Sequence, residues 1–234
     1  MNIVDYVILG LIGIFALMGL VRGIRISLVR VGVIILAIIL AYTIKDYAVE
    51  WLIEFMPFYA WQEPFKSIPT INILFYNAVA FGLIFIIIAA VLAMITSAEI
   101  FDYIYNSKAI YIVLDKLFGM LVGAVEGLFM AFAVVSILSQ LAPTFMLTFE
   151  SKYGDVILER TPIVRNVLAK STNASEDIYT LVDKYDQLGL SDRDAFNLEV
   201  LQISVRRKII STNKAQYLID NERINISGIK IVSG

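Results

Sequence analysis

The sequence predicts an all-α membrane protein, with four transmembrane helices in two hairpins and a small, mostly helical soluble C-terminal tail. Three observations point there. Of 234 residues, 59% are hydrophobic and only 17% charged. Ordinary soluble domains carry about 25% charged residues, so lipid is the expected solvent. Four apolar runs each approach the roughly 20 residues that crossing a bilayer requires. After Pro143 the composition turns polar and no further run of that length follows. The boundary therefore falls near residue 150, with a transmembrane domain at 1–150 and an extramembrane tail at 151–234.

All four runs must be helical, because hydrocarbon offers no partner to an open backbone N–H or C=O. Their continuous apolarity excludes the alternating strands of a barrel. The first helix spans 3–21. No basic residue precedes it and no clean small-residue cleavage site follows, so it reads as retained rather than as a signal peptide. The second, 26–44, is interrupted only by Arg30, and the third, 71–95, has no charge. The fourth, 117–142, holds Glu126.

Arg22, Arg25 and Arg30 cluster around the turn between the first two helices. The longer 45–70 loop has Lys45 and Lys66 against Asp46, Glu50, Glu54 and Glu63. The positive-inside bias puts the arginine-rich turn in the cytoplasm and both termini outside. Gly23 lets that turn be tight. In the second loop, Trp51, Leu52, Phe55 and Met56 share a helical face, which predicts a segment lying flat at the membrane interface until Pro57 ends it. Its aromatics suit either an interfacial belt or an aromatic ligand site.

In the tail, Asp177 to Leu188 is a short helix candidate. SDRDAFNLEVLQISVRRKIIS opens with a Ser191 to Asp194 capping box and places Leu198, Leu201, Val205 and Ile209 at helical spacing. INISGIKIV alternates like a hairpin or edge strand turning at Gly228.

Composition excludes much chemistry. With no Cys and no His there is no thiolate nucleophile, histidine base or His/Cys metal site. A net charge of -2 argues against nucleic acid as a partner. No nucleophile elbow, P-loop or dinucleotide fingerprint occurs. A Ser–Lys dyad or an all-carboxylate metal site stays open by composition, but no motif supports either. The expectation is therefore a protein that is not an enzyme and carries no cofactor and no metal.

The segment LDKLFGMLVGAVEGLFMAF carries what specific signal there is. Gly119, Gly123 and Gly127 recur at a spacing of four, as do Gly19 and Gly23. Small residues at that spacing let helices approach closely in lipid, either within the chain or in a homo-oligomer. A glycine-lined conduit is the functional alternative. Glu126 lies ~14 Å inside the fourth helix at 1.5 Å per residue. A charge at the helix centre costs at least ~2.5–3.5 kcal/mol, so a partner is expected. Arg30, ~6 Å deep by the same rise, is the predicted one. The pair reads either as a polar clasp or as an ion-responsive site on a transport path, the remaining alternative being a Glu126 that is protonated by desolvation and inert. Asp5, near the outer end of the first helix, is expected to face water without a partner and to steady the helix N-terminus or anchor it.

These residues resemble the colicin V production protein family, small bacterial membrane proteins with four predicted helices. Asp5 opens the first helix, Arg22 and Gly23 lie in the VRGIR turn, and Asp115, Lys116, Gly119, Gly123 and Gly127 fill the pattern entering the last helix. Phe118 stands where Leu is usual, and Glu126 where many relatives have Arg or Lys. The resemblance covers about 1–150. It implies a multi-pass protein of the bacterial cytoplasmic membrane, associated with bacteriocin production and envelope stress tolerance. The expected role is an accessory or scaffold in production or export, touching the lipid bilayer and, through the tail, other envelope or export proteins. The alternative is a small solute or ion transporter using Glu126 and Arg30. Some relatives look like fusions to an extracytoplasmic serine protease, but this short tail without His cannot carry that activity.

Overall fold

A reciprocal cap starts the first helix. The Asn2 side chain accepts from the Val4 and Asp5 amides, and the Asp5 carboxylate accepts the Asn2 N–H at 2.8 Å. The computed structural model describes residues 1–62, 65–66, 68–106, 112–187 and 193–224. Nine α-helices occupy them: α1 Ile3–Arg22, α2 Ile24–Phe55, α3 Ile71–Asn106, α4 Ile112–Leu138, α5 Phe145–Phe149, α6 Gly154–Arg160, α7 Val164–Gln187, α8 Arg193–Arg206 and α9 Thr212–Asp220. No strand occurs among the described residues. The predicted Gly228 hairpin, the Ser191 cap and Leu188 lie outside them.

The fold class is the predicted one, all-α with four helices long and apolar enough to cross a membrane. Their bounds differ from the expected ones. α2 continues to Phe55 without a break, so the predicted flat interfacial segment is a helical extension of the span. Nothing between Gly32 and Met56 is a glycine or proline, and falling hydropathy marks where lipid contact fades, not where hydrogen bonding stops. α3 likewise runs on to Asn106. α4 ends at Leu138 rather than near 142, because Gln140 and Leu141 tighten to i→i−3 bonds and the Thr144 hydroxyl takes the Leu138 carbonyl at 2.9 Å. The tail candidate at Asp177 proves to be the second half of α7. α9, capped by Ser211 on the Lys214 amide, was not foreseen.

Two units divide the chain. The first comprises Met1–Thr43, Gly82–Val135 and Glu150–Val167. Its helices turn large apolar side chains outward, among them Ile14, Leu17, Ile86, Met94 and Leu121. That inversion suits lipid, where an outward Leu costs nothing.

The second unit comprises Ile44–Phe81, Ser136–Phe149 and Leu168–Gly234. It has its own core of buried apolar side chains. Val49 and Ile53 of α2, Ile73 and Leu74 of α3, Ile178 of α7, Val200 and Leu201 of α8 and Leu218 of α9 are all buried together. Each such side chain contributes about 1.5–3 kcal/mol on leaving water. Lys214 of α9 pairs with Glu54 of α2 at 2.7 Å, and Thr70 donates to the Asn197 side chain of α8 at 2.8 Å. The compact units thus divide elsewhere than at residue 150. Residues 150–167 belong with the spans, and α7 to α9 build their core with the ends of α2 and α3. The predicted spacing in α8 holds as far as Val205: Leu201 is buried, with Leu198 and Val205 packed against the core. Ile209 is buried too, but beyond the end of the helix at Arg206.

Candidate functional site

The first unit is organised by a seam in which α1 and α4 run antiparallel with their backbones in contact. A Cβ added at Gly19 would lie 2.8 Å from the Gly123 Cα, and one at Gly119 would lie 2.7 Å from the Gly23 Cα. One at Gly127 would lie 2.7 Å from the Ile12 Cα. Real Cβ atoms essentially never come within 3.0 Å of such neighbours, so only glycine fits the seam. All five glycines singled out from sequence thus meet inside one chain.

Gly23 links α1 to α2 alone. Its φ of 85° is accessible to glycine and strained for other residues. The Asp115 carboxylate sits against it, and Asp115 Oδ1 accepts the Ile24 N–H at 3.3 Å. A carboxylate at the first open amide of α2 satisfies a donor the helix cannot and meets the positive end of its dipole. The neighbouring Lys116 is exposed.

Glu126 is buried, with 1% of its side chain exposed, and faces Arg22 with Oε2 and Nη1 3.5 Å apart. The predicted partner Arg30 is not within ion-pair distance. The expectation rested on depth along each helix, whereas the seam brings α1 closest to α4, so the last turn of α1 supplies the nearer cation. Neither Glu126 Oε2 nor Arg22 Nη1 has a hydrogen-bond partner among the described residues, and neither does Arg30 Nε.

Asp5 also departs from expectation. It is fully buried rather than wet. Its Oδ1 accepts from the Ser151 hydroxyl at 2.6 Å and from the Tyr153 N–H at 3.0 Å, while its Oδ2 closes the α1 cap. The expected N-terminal role holds, with a long-range tie added.

In the second unit, sequence reasoning missed a buried polar chain. Lys45 is 1% exposed, and its Nζ donates to Asp46 at 2.8 Å and to Asn77 Oδ1 at 2.7 Å. Asn77 Nδ2 in turn donates to Gln140 Oε1 and, at 2.9 Å, to the Ser171 hydroxyl. Asn77 was hidden inside an uncharged run, but an amide within a span is itself a signal for a polar partner. Beside this unit's core, Phe58, Tyr59, Trp61, Lys66 and Pro69 line a cleft of about 630 Å³. Trp61, Tyr59 and Phe75 pack edge-on or tilted at 5.1–5.8 Å between centroids, so these rings pack mainly on one another. Among the described residues no three His, Cys, Asp or Glu side chains gather as metal ligands.

The family model for colicin V production protein matches residues 4–156. The chain belongs to the colicin V production protein family. The match takes in Asp5, Arg22, Gly23, Asp115 and the three α4 glycines, and it spans all four membrane-length helices. No curated protein and no solved structure matches the chain. Membership makes this a membrane protein of the colicin V production type, with α7 to α9 beyond the family region.

Proposed function

We propose that the protein is a non-enzymatic scaffold of the bacterial cytoplasmic membrane, acting as an accessory in bacteriocin production or export and in envelope homeostasis. One observation carries the reading. The family-pattern groups of the first unit are engaged in fixing helices: the glycines in the α1–α4 seam, Asp115 at the α2 amide, Asp5 at the α1 cap and the 151–153 segment. Groups held this way favour a rigid frame over an alternating path. The arginine-rich turn would face the cytoplasm and both termini the outside, following the positive charge. The second unit, whose own core needs water outside it, would then meet partner envelope or export proteins.

The test is flux through reconstituted vesicles. A scaffold gives no pH- or voltage-driven ion movement, and crosslinking with mass spectrometry finds partner peptides on α7 to α9. Flux that disappears in Glu126→Gln would replace the scaffold with a transporter.

A further inference from the structure

We propose that Tyr47, Trp51 and Phe55 form a ridge on the outward face of α2 that binds the headgroup layer of the bilayer and seats the second unit there. The three side chains follow one another at a spacing of four, so they stack along one side of the helix. They are 83%, 54% and 60% exposed, and the Trp51 and Phe55 rings lie 5.4 Å apart between centroids. The opposite side of the same turns is closed. Val49 and Ile53 are buried in the core of the second unit, with Ala48, Leu52 and Met56 packed against it. Leu52 and Met56 therefore do not share a face with Trp51 and Phe55, contrary to the expectation from sequence. Large apolar groups left outward in a row mark an interaction surface.

The order of residue types along α2 says that lipid covers the ridge. Before the rings, the outward side chains of the same helix are the aliphatic Leu36, Leu40 and Ile44. Aliphatic groups followed by aromatic ones are what a helix shows as it passes from hydrocarbon into headgroups, where rings with an apolar body and a polar edge collect. The length of α2, 32 residues, agrees. At 1.5 Å per residue, Tyr47 lies ~35 Å and Trp51 ~40 Å from its start, past the ~30 Å of hydrocarbon and inside the ~40–45 Å that includes headgroups. Glu50, exposed beside the ridge, suits that wet layer and would be costly in hydrocarbon. The contact is the same whether the protein is a scaffold or a transporter.

The full-length protein in nanodiscs of phosphatidylcholine tests the ridge. The chain has two tryptophans, so Trp61→Phe leaves Trp51 as its only indole. Bromines in the acyl chains just below the headgroup should quench Trp51 about twofold more than bromines near the chain ends, because interfacial rings stay shallow. Acrylamide in the water phase should quench it less than the shallow bromines do. In the parent protein, Trp51→Phe should remove the same lipid-quenched emission, which gives the answer a second time without touching Trp61. Quenching by acrylamide with no effect of bromine would put the ridge in water and overturn the proposal. Protection from both quenchers would mean that protein, a second copy included, covers it. Strongest quenching by the deepest bromines would put it in hydrocarbon. Either of these results overturns the proposal as well.

Discussion

At Gly119 one added methyl group would press on the backbone of the facing helix, while at Gly10 and Gly13 it would meet nothing within 4 Å. Helix propensity favours alanine at all three positions, so steric fit alone separates them. Gly119→Ala should lower stability by about 1–3 kcal/mol, the usual range for overpacking. Gly10→Ala should be neutral or stabilising by up to about 1 kcal/mol. Thermal unfolding in detergent, followed by circular dichroism, compares them directly. Similar melting of the two variants would mean that the α1–α4 contact is not close in solution. Glu126 makes the related point that the nearest charge is set by which backbones touch.

Helices α2 and α3 outrun their apolar stretches, and this creates the setting for Lys45. An ammonium buried on α2 is tolerable because Asp46 and the Asn77 carbonyl accept from it. Lys45→Met removes the charge and leaves the neutral Asn77 oxygen short of one donor, at a cost of about 1–3 kcal/mol. Asn77→Leu takes an acceptor from a charged group instead, and should cost more. The double variant should cost less than the sum, because the two side chains share one bond. Chemical unfolding read by tryptophan fluorescence is suited to this, since Trp51 and Trp61 both lie in the second unit. Strict additivity would show that the bond contributes little.

For the whole molecule, acid tests the ion pairs that hold the second unit. In the second unit Asp177 is contacted by Arg206 at 3.2 Å and Arg207 at 2.8 Å. Burial is the largest single influence on Asp177 and acts to raise its pKa. The hydrogen bonds and charges of Arg207 and Arg206 together outweigh it, so the carboxyl titrates below its ordinary value. A lowered folded pKa means the stabilisation is fully present above the ordinary carboxyl range, about pH 4, and is lost as pH falls through the folded value. Asp177→Asn should therefore weaken the second unit at neutral pH and flatten the acid limb of its tryptophan-monitored unfolding. An unchanged acid limb would remove Asp177 from the account.

Lipid-compatible composition and run length were enough to establish four spanning helices and an all-α fold, because the bilayer leaves the backbone no other solution. The glycine spacing and the N-terminal role of Asp5 were also legible, since small residues at that spacing and a carboxylate in a first helical turn are local signals, whereas the role of Asp115 at the Ile24 amide joins residues 91 apart. The partner of Glu126, the burial of Asp5 against Ser151 and Tyr153, and the Lys45–Asn77 chain were not. Each joins residues far apart in sequence, and only the folded path of the chain sets such distances. The same holds for the division into units. Hydropathy records which solvent a stretch prefers, whereas a core forms wherever apolar side chains from separate stretches meet.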